Sequence, residues 1–134
     1  ADQSVDYSIA ITLPLFIKDE IRAYINEAIR VTKPNGFVIN LGIAPKKYGG
    51  DLARVILGDS EITEEDTEGV VDDILVNEYG FDFFDYEAIQ DYKTLDQIVS
   101  TYGFIFGQNA IDYLIEHEKT SIVWTYRVHY KKVS

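Results

Sequence analysis

The spacing of apolar residues changes several times along this chain, and each change marks a structural element. Val5, Tyr7, Ile9 and Ile11 alternate with Asp6, Ser8, Ala10 and Thr12, which is the period of a strand. Leu13-Pro14 closes it, because proline has no N–H to donate to a ladder. Ile17, Ile21, Tyr24, Ile25, Ala28 and Ile29 then recur every three or four residues. That spacing predicts an amphipathic helix with Lys18, Glu20, Arg22 and Asn26 facing water. Lys33 stands where a cation complements the helix C-terminus, Pro34 forbids continuation, and Asn35-Gly36 is expected to supply left-handed backbone. Residues 37–43 are branched, aromatic and nearly uncharged, as in a central parallel strand.

From Tyr48 onward the pattern loosens. Residues 51–57 predict a short helix capped by Asp51. Thr63 with Asp66, or Ser60 with Thr63-Glu64, opens a longer one, whose apolar side is Val70, Val71, Ile74, Leu75 and Tyr79. Residues 80–86 read as a strand reaching towards Tyr92. Thr94-Leu95-Asp96-Gln97 starts a helix with Ile98, Val99 and Tyr102 inward, and Ala110, Ile111, Leu114 and Ile115 mark another after Gly107. Ile122, Trp124, Tyr126, Val128 and Tyr130 alternate strictly with Val123, Thr125, Arg127, His129 and Lys131, the clearest strand in the chain. Strands alternating with helices predict a single α/β domain over residues 1–134, with a mostly parallel sheet and helices in the crossovers.

Composition narrows the function classes. The 134 residues are 46% hydrophobic and 26% charged, enough apolar material for a hydrophobic core. No apolar run is long enough for a membrane span, and Ala1-Asp2-Gln3-Ser4 lacks the basic start and apolar stretch of a leader. The absence of cysteine excludes disulfides and thiolate metal sites and suits a reducing, cytoplasmic setting. A net charge of −11 repels a phosphate backbone, so neither nucleic acid nor membrane is an expected partner. Arg127, His129, Lys131 and Lys132 make one basic strip, for which a solvated strand face is the simpler reading. The chain contains no methionine, which leads us to expect a processed chain or a fragment.

No signature of nucleophilic or metal chemistry stands out. His117 and His129 have no cysteine or acid at ligand spacing, so no metal is expected. The acids Asp59, Glu61, Glu64, Glu65, Asp66, Glu68, Asp72 and Asp73 lack the spacing of a calcium loop and read as a solvated helix start. There is no G-x-S-x-G elbow.

One stretch carries a family likeness. Glu27-Ala28-Ile29-Arg30-Val31-Thr32-Lys33-Pro34-Asn35-Gly36, followed by residues 37–43, resembles the E-x-x-R-V-L-K-P-G-G turn of class I S-adenosylmethionine-dependent methyltransferases. In that family the turn joins the fourth helix to the fifth strand. Residues 4–10 resemble the fourth strand, Gly80-Phe81 the lead into the sixth, and residues 126–130 the last, antiparallel strand. Residues 102–107 with Tyr113-Leu114-Ile115 resemble an insertion found in one small bacterial branch. Asn35 stands for the first glycine of the pair and tolerates the same geometry.

The resemblance implies the second half of the domain, from fourth strand to last, as a partial Rossmann-like sheet. The family's glycine-rich loop and its ribose-binding acid have no counterpart here. Gly49-Gly50 and Gly103 with Gly107 do not follow a strand and open a helix as such a loop must. S-adenosylmethionine is therefore implied for the parent enzyme, with no cofactor-binding residue expected in this chain and no activity by this chain alone. The competing reading is a non-catalytic α/β module for interaction or small-ligand binding.

Ligands of open α/β sheets lie beyond the carboxyl ends of parallel strands. On the methyltransferase reading a small-molecule acceptor would meet Thr12, Phe16, Tyr48, Asp51 and Arg54 there. Tyr102 and Phe104, with Phe106, would form an apolar lid, or else the packed core of the insertion. The resemblance also implies that residues 5–11 become a sheet edge beside a bare apolar face. A homodimer, by edge pairing or face packing, or a companion N-terminal half is the expected consequence.

Overall fold

A computed structural model describes residues 1–12, 17–45, 49–53, 55 and 67–134. The alternating segments become strands β1 (Val5–Ile11), β2 (Thr32–Ile43), β3 (Asp82–Asp91) and β4 (Ser121–Lys132) of one sheet. Helix α1 (Lys18–Val31) joins β1 to β2. Helix α2 (Thr67–Asp73), continued by a wider π turn at Ile74–Glu78, precedes β3. Helices α3 (Leu95–Phe106) and α4 (Gln108–Glu116) lie between β3 and β4. Strand order is β1-β2-β4-β3. β1 and β2 are parallel, whereas β4 is antiparallel to both neighbours, so three strands run one way and the last returns between two of them. The sheet is thus mostly parallel with an antiparallel last strand.

Local chemistry explains the boundaries. Thr94 caps α3 by accepting the Gln97 N–H at 3.2 Å. Gly80, at φ 66°, turns the chain out of the π turn into β3. Bonds from Arg22 to both carboxylate oxygens of Glu78, each 2.8 Å, hold α1 against that turn.

The predicted helix-stop differs in detail. α1 ends at Val31, and residues 33–36 form an excursion within β2, between the pairs Val5–Thr32 and Tyr7–Phe37. Asn35 takes the left-handed conformation, at φ 68°. Gly36 does not need it. A Cβ there would stand 2.4 Å from the Asp6 carbonyl oxygen, so glycine is required for close approach to β1 rather than for its φ. Lys33 pairs with Asp6 at 3.0 Å, across to the neighbouring strand instead of back onto its helix. Arg30 joins Glu27 and Asp2, and the Gln3 and Ser4 N–H groups donate to the Arg30 and Val31 carbonyls. The E-x-x-R stretch therefore locks the chain start onto the end of α1.

Cross-strand partners share a face of a sheet. One face carries Val38, Arg127 and His129 and is covered by α1 and α2, around a core of Ile21, Ile25, Ala28, Val38, Ile74, Leu75 and Phe81. Among the described residues the opposite face is covered only at its carboxyl end. There α3 and α4 bury Ile98, Tyr102, Ala110 and Leu114 against Leu52, Ile122 and Trp124. The predicted helix over residues 51–57 lies largely outside the described residues, and Asp51 itself sits in a turn.

Candidate functional site

The carboxyl end of the parallel strands is built from the segments that follow β1 and β2. Thr12 continues the β1 ladder, its N–H donating to the Leu41 carbonyl at 2.8 Å. Its backbone lies at φ 48°, an uncommon conformation for a branched residue, and its side chain is exposed. Beside it, a Cβ on Gly42 would meet no atom of the described residues within 4 Å.

After β2 the chain runs back along β4. The Ala44 N–H donates to the Thr125 carbonyl at 2.8 Å, and the Asp51 N–H donates to the Val123 carbonyl at 3.0 Å. The Asp51 carboxylate accepts the Val123 N–H at 2.9 Å and faces Lys119 at 3.6 Å. Its oxygens thus anchor this turn to the start of β4. The adjacent glycines serve the same packing. A Cβ on Gly50 would stand 2.2 Å from the Val123 carbonyl oxygen, and one on Gly49 2.8 Å from the Ala53 side chain.

Thr12 and Asp51 therefore lie at the same end of the sheet. Phe16, Tyr48 and Arg54 lie outside the described residues. Tyr102 and Phe104 do not form a pair. Tyr102 is buried between Phe106, Tyr92 and Trp124. Its hydroxyl accepts the Trp124 indole N–H at 3.0 Å and donates to Gln90. Burial pushes its phenol up to about 12, so it stays a neutral hydrogen-bonding group. Phe104, two residues on, is 93% exposed.

A polar cluster on the opposite face escaped the reading of the sequence. The basic strip is expected to be solvated, yet Arg127 is 8% exposed and His129 5%. Both point under α2. Arg127 donates to the two oxygens of Asp85 at 2.8 and 3.0 Å and to Asp72 at 2.9 Å, with its guanidinium 4.1 Å from the centre of the Phe83 ring. His129 meets the same Asp72 oxygen at 2.9 Å. A carboxylate accepts, so Nε2 carries the imidazole hydrogen and Nδ1 keeps a lone pair, enclosed and without a hydrogen-bond partner. Burial holds this imidazole below its ordinary range, against the pull of Asp72. Hydrogen bonds from the Arg127 guanidinium hold the Asp85 carboxyl low.

Asp72 is thus the half-buried partner of two buried side chains rather than part of a solvated helix start; acids 59–66 of that run lie outside the described residues. An aspartate orienting a neutral imidazole has the elements of a general base. Enclosure denies it a substrate, and what it does is fasten α2 to β4. Alternation alone could have flagged this: Arg127 and His129 share a parity on a strand whose two faces are both flanked by helical segments. Among the described residues no three metal-ligating side chains converge, and no helix is long and apolar enough to cross a membrane.

Comparison with known proteins adds little. No family model matches the chain, and no curated protein does. Among solved structures it is similar to the MccD protein, at 14% identity and TM-score 0.43, over 97% of this chain and 62% of that one. It is also similar to phosphoethanolamine N-methyltransferase 2 of Haemonchus contortus, solved in complex with S-adenosyl-L-methionine, at 18% identity and TM-score 0.36. That match covers 98% of this chain and 34% of the other. The chain thus spans under two thirds of either structure, and at these scores neither likeness assigns a family.

Proposed function

We propose that this chain is the acceptor-side half of an S-adenosylmethionine-dependent methyltransferase domain and does not transfer methyl groups by itself. The observation that carries the reading is the stretch from Glu27 to Ile43 in its observed setting. It closes a helix, reverses through left-handed Asn35 and enters a central strand parallel to β1. The antiparallel final strand agrees with it. Glycines that would otherwise be candidates for a cofactor loop are committed to packing: Gly49 and Gly50 against the turn and β4, Gly103 against Ile111.

In this reading the end of the sheet at Thr12 and Gly42 faces the methyl acceptor, Asp51 holds the turn after β2 to β4, and Phe16, Tyr48 and Arg54 are proposed as further acceptor contacts. Methyl transfer depends mainly on alignment of donor and acceptor, so a site of this kind works by position rather than by a dedicated acid or base. S-adenosylmethionine would be held by residues that this chain does not supply. The setting of such an enzyme is cytoplasmic, with a small-molecule acceptor.

Calorimetry tests both parts. Titrating the 134-residue chain with S-adenosylhomocysteine is expected to give no saturable heat, whereas the product of the whole reading frame that encodes it is expected to bind. Saturable binding to the chain alone overturns the inactive-half reading. Failure of the whole product to bind overturns the methyltransferase reading.

A further inference from the structure

The bare part of the sheet has a composition of its own. Register places Tyr7, Phe37 and Lys132 in one row, Ile9, Ile39, Tyr130 and Asp82 in the next, and Ile11, Leu41, Val128 and Phe84 in a third. Tyr86 follows at the border of the α3–α4 cover. Tyr7, Ile9, Ile11, Phe84 and Tyr86 are each more than half exposed. Tyr7 stacks on Phe37 at 6.2 Å and Phe84 tilts against Tyr130 at 6.1 Å, so the side chains form one surface rather than separate projections.

We infer that this face packs against the same face of a second copy of the chain, across a two-fold axis. Its accessible area is roughly 700 Å², close to the ~800 Å² that each partner contributes to an interface of standard size. It exceeds what a monomer ordinarily leaves bare. Sheet faces pack on sheet faces about 10 Å apart with their strands nearly aligned, and a flat patch of this kind is self-complementary under two-fold symmetry. Charge permits the contact despite the net −11, because the face holds one lysine and one aspartate, both at its margin. The acidic excess lies elsewhere. Pairing through the β1 edge is the weaker arrangement, since it would extend the sheet and leave the apolar face uncovered.

Sedimentation equilibrium at micromolar concentration tests the inference. A mass near twice 15.3 kDa is expected. Ile9→Lys and Phe84→Lys are each expected to raise the dissociation constant by about tenfold or more, while Ile115→Lys on α4 leaves it unchanged. A monomer overturns the inference, as does a dimer indifferent to both lysines. A second measurement is independent of any destabilisation by lysine. The chain has no cysteine, so Ile11→Cys carries the sole thiol. Its alkylation is expected to slow as protein concentration rises; a constant rate overturns the proposal. Neither arm involves S-adenosylhomocysteine, so failure of the dimer and failure of the methyltransferase reading are distinguishable.

Discussion

The two faces of the sheet are covered by different means. On one, α1 and α2 belong to crossovers that advance in the same direction across the sheet, from β1 to β2 and from β2 to β3. Crossovers of one hand advancing one way lay their helices on one face. The two helices consequently share one core, and Arg127 and His129 are buried beneath α2, paired with the partly exposed Asp72 and Asp85. On the other face, the β2–β3 connection contributes Leu52 among the described residues. Most of its cover among the described residues is the α3–α4 pair inserted before the antiparallel return, at the carboxyl end. Chain connectivity therefore covers most of one face, with Phe83 and Ile89 of β3 still exposed on it, and leaves much of the other bare.

The largest test of this contrast is a pair of truncations at isoleucine. Ile25→Ala, in the sealed core, is expected to cost about 2–5 kcal/mol in urea unfolding, and Ile9→Ala less than about 0.5 kcal/mol under dilute, monomeric conditions. Equal losses would break the comparison. Next comes Arg127→Met, which leaves Asp85 and Asp72 without their cation. A loss of about 2–3 kcal/mol is expected, below that for a fully buried pair because Asp85 is about a third exposed.

The smallest effect is in pH. His129 is held below its ordinary value near 6.5, so on acidification the unfolded chain takes up the proton first. The stability it contributes is complete above about pH 6.5 and is lost as pH falls from there. Asp85 is held below the carboxylate range, so its share persists to about pH 4 and is lost below that, through its folded value. Urea midpoints against pH should fall in two stages, and His129→Gln should remove only the first. A single stage near pH 4 in the unaltered chain would show that burial does not govern His129.

Much of the fold was legible because strand and helix periods differ so plainly. Ile21, Ile25 and Ala28 recur as a helix face, and residues 122–130 alternate without interruption. Gly36 was legible as a special position but not for its reason: the close neighbour is Asp6, thirty residues upstream, and proximity of that kind is not written in local spacing. Tyr102 carried two readings because an aromatic side chain serves a lid or a core equally well, and the indole of Trp124 decided its surroundings. The basic strip misled for the same reason. A charge is expected in water unless its partners are known, and the partners of Arg127 come from α2 and β3.

By itself the sequence determined the elements, their order and the likeness at residues 27–43, because periodicity, proline and turn residues act through neighbours along the chain. The place of β4 between β2 and β3, the burial of Arg127 and His129, and the face left bare were decided only by tertiary structure. Each depends on which strands pair and on which side the crossovers fall, and those contacts join residues far apart in the chain.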